Sequence, residues 1–144
     1  MLAIIGGDPA RFAPFVDLYH RAFREFGRPA QPIGVHSPGY VAETDAQARE
    51  ELWPHYKAMR DRIGKERGWP PIGRDEFVSE AEHGSLYVGS PETVARRIAK
   101  TANTLGISRF QLKYSAGPLP HGKLMKSIEL YGRKVAPMVR ELMG

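Results

Sequence analysis

The residues of this sequence that could take part in chemistry lie where predicted strands end or break. Residues 2–5 form a short apolar run typical of a buried parallel strand, and Gly6 and Gly7 end it. Two glycines let the backbone approach a flat ligand closely, although they make an ordinary strand-to-helix turn equally well. His36 lies in the next strand-like segment and is the one candidate catalytic side chain, because an imidazole can donate a hydrogen bond to a ligand oxygen. A purely structural histidine is the simpler alternative.

Two more candidate places follow later strands. Gly89 and Ser90 come directly after the apolar residues 86–88 and open a helix, so their N–H groups are placed to bind a phosphate. Ser90 is also fully explained as the N-cap of that helix, which is the simpler alternative. Tyr114 and Ser115 end the last predicted strand, and we expect them to line the mouth of a substrate pocket.

Composition excludes several kinds of site. The 144 residues include no cysteine, so thiol catalysis, disulfides and cysteine-ligated zinc are excluded. The five histidines form no H-x-x-x-H pair, and there is no Walker loop or G-x-S-x-G elbow. The net charge of +5 arises from 21 basic and 16 acidic residues that are interspersed, which indicates a solvated surface more than a nucleic-acid site. We therefore expect a soluble cytoplasmic protein that binds a small molecule and neither metal, membrane nor nucleic acid.

The first half of the chain reads as strand and helix in alternation. Asp8 and Pro9 are typical of a helix N-terminus, and apolar residues at helical spacing follow as far as residue 26. Residues 33–42 are strand-like, but the proline in the segment 37–39 predicts a bulge or break there. A long helix is predicted from Thr44 to about residue 67, with Pro54 either bending it or marking its true start.

The second half repeats the pattern after a connector over residues 68–73. The sequence predicts a short helix over residues 75–82, a strand over 86–88, a helix over 92–105 and a strand over 107–114. A final helix over about 121–143 is predicted to bend at Pro137. Repeated strand–helix units, about three in number, favour an α/β fold with a parallel sheet in a single domain, residues 1–144.

Three stretches carry a resemblance to a known family. They are residues 40–49 (YVAETDAQAR), residues 88–95 (VGSPETVA) with Ile98 after them, and residues 106–107 followed by the strand 110–114 and residues 119–121. In this order and spacing they resemble the C-terminal portion of the luciferase-like flavin-dependent oxidoreductases. That family includes bacterial luciferase, alkane monooxygenases and deazaflavin-dependent dehydrogenases.

The resemblance implies a (β/α)8 TIM barrel that binds FMN, or a deazaflavin such as F420, at the C-terminal ends of its strands. A complete barrel takes roughly 250 residues, so this chain is expected to form a partial one. Gly6, Gly7, Gly89 and Ser90 would then contact the cofactor, and Tyr114 and Ser115 the substrate. The catalytic base of the family lies in the earlier part of the barrel and cannot be assigned to this sequence.

Two functions are consistent with these patterns. The first is a flavin-dependent oxidoreductase or monooxygenase acting on a small organic substrate, with the chain as a C-terminal fragment or short form that is expected to be inactive or only weakly flavin-binding alone. The alternative is a non-catalytic α/β module that associates with itself or with a partner. Either way, unpaired strand edges favour a homo-oligomer.

Overall fold

The computed structural model describes residues 2–3, 6–115 and 117–144, and its centre is a small parallel sheet. The strands are β1 (Leu2–Ala3), β2 (Gly34–Val41), β3 (Tyr87–Gly89) and β4 (Arg109–Lys113). β2 is central and pairs in parallel with each of the other three. Residues 4 and 5, the rest of the first predicted strand, lie outside the described residues.

The helices follow the strands in the predicted alternation. A 3₁₀ turn (Pro9–Phe12) leads into α1 (Ala13–Glu25), and α2 (Asp45–Arg67) and α3 (Arg74–Glu82) follow β2. α4 (Pro91–Leu105) follows β3, and α5 (His121–Leu130) and α6 (Ala136–Met143) follow β4. The structure is therefore a mixed α/β fold with a parallel sheet. None of the described helices is long and apolar enough to cross a lipid bilayer.

The predicted helix starts are confirmed by their capping hydrogen bonds. Asp8 Oδ1 accepts from the N–H of Ala10 at 2.9 Å, and Thr44 Oγ1 accepts from the N–H of Gln47 at 3.1 Å. Ser90 caps α4 in the same way. Because Thr44 caps α2, Pro54 does not mark the start of that helix, and α2 runs through it.

The predicted break in β2 is wrong. The strand is continuous through Pro38, because Pro38 lies where one pairing partner replaces another: β4 pairs with residues 34–38 and β3 with residues 39–41. The next residue, Gly39, allows both neighbours to approach closely. A Cβ at this position would lie 2.4 Å from the carbonyl oxygen of Tyr87 and 2.4 Å from Cδ1 of Leu112.

Pro137 is accommodated by a change of helix type. Residues Tyr131–Val135 form a π turn between α5 and α6, and the N–H of Ala136 donates to the carbonyl of Tyr131. Pro137 then lies in the first turn of α6, where it needs no N–H donor. The π turn thus permits the helical course to continue past the proline.

The strand order departs from that of a complete barrel. In a barrel each strand pairs with its neighbours in the chain, whereas here β4 pairs with β2 and not with β3. Among the described strands, the sheet is therefore open, and one edge of β4 has no strand partner.

Helices cover both faces of the sheet at the carboxyl half of β2 but only one face at its amino half. Tyr40 packs with Leu52 and Phe77 of α2 and α3, while Val41 on the opposite face packs with α4 residues. Further back, Val35 is fully buried against α1 and α4, whereas His36 on the other face is only partly buried. One face is thus left bare beside His36.

The apolar side of α1 is largely uncovered. Of the α1 residues only Val16 is buried. Phe15 is 62% exposed, and Phe26, which follows the helix as its C-cap, is 75% exposed. Ala22 and Phe23 line a surface groove of about 540 Å³ together with Phe26 and Arg28. The predicted helix is confirmed, but its apolar periodicity does not correspond to a buried face in this chain.

Candidate functional site

The seven candidate residues fall into three separate places in the structure. Gly6 and Gly7 follow β1, and Gly89 and Ser90 end β3 and open α4. The other three candidates, His36, Tyr114 and Ser115, lie together beside β4. Each place has a different polar environment, which decides what it can bind.

The Gly6–Gly7 turn is hydrogen-bonded within the protein. Both glycines have a left-handed backbone, with φ of 77° and 75°, which side chains other than glycine rarely adopt. The N–H of Gly6 donates to Ser85 Oγ at 2.8 Å, and the N–H of Gly7 donates to Glu80 Oε1 at 2.8 Å. The second oxygen of Glu80 accepts from the N–H of Ser85 at 3.1 Å. One carboxylate therefore ties the end of β1 to the loop before β3.

The start of α4 also holds a carboxylate of the same chain. The N–H of Ser90 donates to Asp45 Oδ1 at 2.6 Å, and the Thr93 hydroxyl donates to Asp45 Oδ2 at 3.0 Å. Partial burial disfavours the charged form of Asp45, but the hydrogen bonds from Ser90 and Thr93 outweigh it and lower the pKa of this carboxyl. Asp45 therefore occupies the position in which a phosphate was predicted to bind.

Gly89 is required by the closeness of Asp45. A Cβ at residue 89 would lie 2.6 Å from Asp45 Oδ1 and 3.0 Å from Thr93 Cγ2. The glycine that was predicted to leave room for a cofactor thus leaves room for the α2 carboxylate. Whether Gly89 also contacts a cofactor remains a prediction.

His36, Tyr114 and Ser115 lie together. They line an open groove of about 530 Å³ beside β4, which is called the β4 groove below. Its other lining residues are Phe110, Gln111, Leu112, Lys113 and Tyr131. The structure therefore brings together the candidates that came from β2 and from the end of β4.

The β4 groove combines aromatic surface with hydrogen-bond donors. Tyr114 is 48% exposed, and Tyr131 is half-buried, which raises the pKa of its phenol and keeps it protonated at neutral pH. The imidazole of His36 is in register with Gln111, so both side chains lie on the same face of the sheet. None of the eight lining residues carries a carboxylate. The groove is suited to bind and orient a flat molecule that carries hydrogen-bond acceptors.

A second polar cluster lies at the carboxyl end of β2. The hydroxyl of Tyr40 donates to Glu51 Oε2 at 2.6 Å, and Lys123 Nζ lies 3.5 Å from Glu51 Oε1. Burial, together with the charge of Glu51, raises the pKa of Tyr40. Glu43 pairs with Lys126 at 3.4 Å and with Lys134 at 3.3 Å. The contacts of Glu51 and Glu43 join α2 and the residues just before it to the α5–α6 segment, across a small cavity of about 170 Å³.

The sequence did not indicate the roles of Asp45 and Glu80. Asp45 follows the Thr44 cap directly, and that position, at a helix N-terminus beside a β-strand end, was a usable signal. Glu80 lies within α3 and acts on a turn 73 residues earlier, so no local pattern could have indicated it. In the described part of the chain there is also no cluster of three or more metal-ligating side chains.

Comparison with known proteins supplies the wider context. No protein-family model and no curated protein matches the sequence. Solved structures do match. Monooxygenase RslO1 from Streptomyces bottropensis aligns over 90% of this chain and 38% of its own, with 19% identity and a TM-score of 0.68.

Two further matches are linked to flavin or deazaflavin. The oxygenating constituent of 3,6-diketocamphane monooxygenase from Pseudomonas putida, a type II Baeyer–Villiger enzyme solved with FMN, aligns over 92% of this chain and 41% of its own. Its identity is 21% and its TM-score 0.65. The coenzyme F420-dependent tetrahydromethanopterin reductase of Methanopyrus kandleri aligns over 94% and 44%, with 18% identity and a TM-score of 0.58.

The chain shares the fold of these enzymes. The resemblance to the luciferase-like enzymes that three sequence motifs predicted is thus confirmed at the level of the fold. The chain spans about two fifths of the length of the structures it matches. In this fold the β4 groove and both carboxylate-filled turns lie at or beside the ends of strands.

Proposed function

We propose that this chain is part of a luciferase-like flavin-dependent oxidoreductase, of the monooxygenase kind, that acts on a small organic substrate. The observation that carries the proposal is the shared fold, which extends over 92% of the chain with an enzyme solved with FMN. The fold shared with an F420-dependent reductase, which extends over 94% of the chain, supports the same class of cofactor. FMN and deazaflavin are both kept as candidates.

The β4 groove fits the ring system of such a cofactor. Its volume of about 530 Å³ lies within the range of roughly 300–1,000 Å³ that is usual for cofactor and ligand sites. Tyr114 and Tyr131 offer aromatic surface, and His36 and Ser115 offer hydrogen bonds to ring oxygens and nitrogens. A bound flavin would supply hydride acceptance or oxygen activation, and the task of these residues would be to orient it and exclude water.

The predicted phosphate contacts fit less well. The N–H groups of Gly7 and Ser90 already donate to Glu80 and Asp45. A phosphate at Ser90 would have to displace Asp45, whose negative charge would repel it. We therefore propose that this chain alone binds flavin weakly, and that a complete cavity needs further βα units or a second copy joined along the open edge of β4.

A flavin titration tests the proposal. FMN and F420 would each be titrated into the chain while flavin fluorescence and the absorption band are followed. We expect quenching that saturates, with binding weakened by His36→Ala and unchanged by the matched variant His121→Ala, since His121 is exposed and lies outside the groove. Absence of any spectral change up to high micromolar concentrations of both cofactors would contradict the proposal for this chain.

A non-catalytic association module is the second candidate. The exposed side of α1, with Phe15 and Phe26, and the unpaired edge of β4 favour it. Sedimentation analysis together with the flavin titration separates the two functions. Self-association with no flavin binding supports the module, whereas flavin binding by the monomer or by the self-associated form supports the oxidoreductase.

A further inference from the structure

One face of the sheet is bare where β2 and β4 run side by side. The register places three pairs of residues on this face: Gly34 with Arg109, His36 with Gln111, and Pro38 with Lys113. All three β4 members of these pairs are exposed. The opposite face is apolar and covered, since Val35 is fully buried and Phe110 packs against two core clusters. The bare face therefore differs from the opposite face in being polar as well as in being uncovered.

Arg109 and Lys113 place two fixed positive charges on the bare face. Three residues of strand lie between them, so the two positions are four steps, or about 13 Å, apart. His36 and Gln111 lie between them in the register. Neither cation forms an ion pair with a described side chain.

Gly34 gives the Arg109 side chain its position. A Cβ at residue 34 would lie 3.3 Å from the Cβ of Arg109 and 3.6 Å from its Cγ, so the glycine leaves room for the start of the arginine side chain. Arg109 is exposed, and a guanidinium can form two parallel hydrogen bonds to a carboxylate or phosphate. Lys113 acts as a point charge at the other end of the face.

We infer that this bare face binds a small organic anion, whose carboxylate or phosphate contacts Arg109 or Lys113 while His36 and Gln111 donate to its uncharged part. The face carries two cations, the hydrogen-bonding side chains of His36 and Gln111, and no acid, so it complements one sign of charge. The inference rests on the proposed function, because His36, Gln111 and Lys113 also line the β4 groove, and it adds the charge of the ligand.

Nuclear magnetic resonance titration of the isotope-labelled chain tests the inference. Inorganic phosphate and citrate would be added separately at low ionic strength. We expect saturable amide shifts at residue 36 and at residues 109–113 with at least one of the two. The more effective probe tells phosphate from carboxylate recognition. The double substitution R109Q/K113Q should raise the dissociation constant at least tenfold.

The matched control is R96Q/K100Q. Both residues are exposed on α4, so the same two charges are removed away from the bare face. Equal weakening by the two double variants would show that only the net charge of the chain matters, and it would overturn the inference. Linear shifts that do not saturate in the unmodified chain would overturn it as well. Should R109Q/K113Q lose its dispersed spectrum, the single variants Arg109→Gln and Lys113→Gln replace it, and unchanged affinity in both of them likewise overturns the inference.

Flavin titration separates this outcome from that of the proposed function. Saturable binding of phosphate or citrate with no flavin binding would leave the anion site standing and remove the oxidoreductase proposal. Flavin binding without saturable anion shifts would leave the oxidoreductase proposal standing and remove the anion site.

Discussion

The turns that end β1 and β3 differ from the end of β4 in what their polar groups do. At the first two, Glu80 and Asp45 accept hydrogen bonds from the backbone, so the glycine-containing turns are closed by carboxylates of the same chain. Beside β4, the donors of His36, Lys113 and Tyr114 line a groove without any carboxylate. Glycine at a strand end therefore indicates close approach of some group, and only the surroundings decide whether that group is a ligand.

The largest loss of stability is expected when the carboxylate of Glu80 is removed from its turn. Glu80→Ala leaves the N–H groups of Gly7 and Ser85 without their acceptor in a partly buried turn. We expect a loss of about 3 kcal/mol in the free energy of unfolding, because each abandoned donor costs about 1–3 kcal/mol and water recovers part of it. Urea denaturation measures this loss.

Glu76→Ala is the control for the Glu80 substitution. Glu76 lies on the same helix and is exposed, with a single cation, Arg60, 4.0 Å away. Its removal should change the free energy of unfolding by less than about 1 kcal/mol. Equal losses in the two variants would mean that the Glu80 carboxylate does not close the turn.

The next effect in size is at Asp45. Asp45→Ala removes the acceptor of the Ser90 N–H and of the Thr93 hydroxyl, and we expect a loss of about 2 kcal/mol. Asp45→Asn keeps one oxygen as an acceptor but loses the charge, so about half of that loss is expected. If the alanine variant is as stable as the unmodified chain, the carboxylate at α4 contributes nothing to the fold.

The pH dependence of stability sharpens the same point. The pKa of Asp45 is lower in the folded chain than its ordinary value of 3.8, so the folded state binds this proton less readily than the unfolded state. The stabilisation is fully present above the ordinary pKa and is lost as the pH falls through the lower pKa of the folded state. Asp45→Asn should therefore be less stable than the unmodified chain at pH 6, and the difference should shrink below about pH 4.

The difference in stability between the unmodified chain and Asp45→Asn is needed because other carboxyls titrate in the same pH range. The Tyr40 hydroxyl, against the effect of burial, lowers the pKa of Glu51, and lysines lower that of Glu43. Acid unfolding of the unmodified chain alone therefore reports all of them. A constant difference between the two proteins from pH 6 to pH 3 would assign Asp45 no share in the pH dependence.

Local patterns in the sequence were sufficient for most of the fold. Capping residues such as Thr44 and Ser90 set the helix starts, and short apolar runs set the strands, because both depend on neighbours in the chain. The break predicted at Pro38 failed because the pairing of β2 passes from β4 to β3 at that residue, and pairing is a long-range property. For the same reason the sequence could not show that Glu80 fills the Gly7 turn, nor that the apolar side of α1 stays exposed.

The smallest change in stability is expected in the β4 groove, where the same substitution should alter binding. Tyr114 is half exposed, so Tyr114→Ala should change the free energy of unfolding by no more than about 0.5 kcal/mol. If its ring stacks on a flavin, the lost aromatic contact of about 1 kcal/mol weakens flavin affinity roughly fivefold. Tyr114→Phe keeps the ring and should bind like the unmodified chain. Phe15→Ala removes an exposed ring on α1, outside the groove, and should leave affinity unchanged. A flavin titration of the three variants measures these affinities. Weaker binding by Tyr114→Phe would assign the contact to the hydroxyl instead of the ring. Equal affinity in all three would place the cofactor outside the groove, and the contrast between closed turns and an open site would then be one of stability alone.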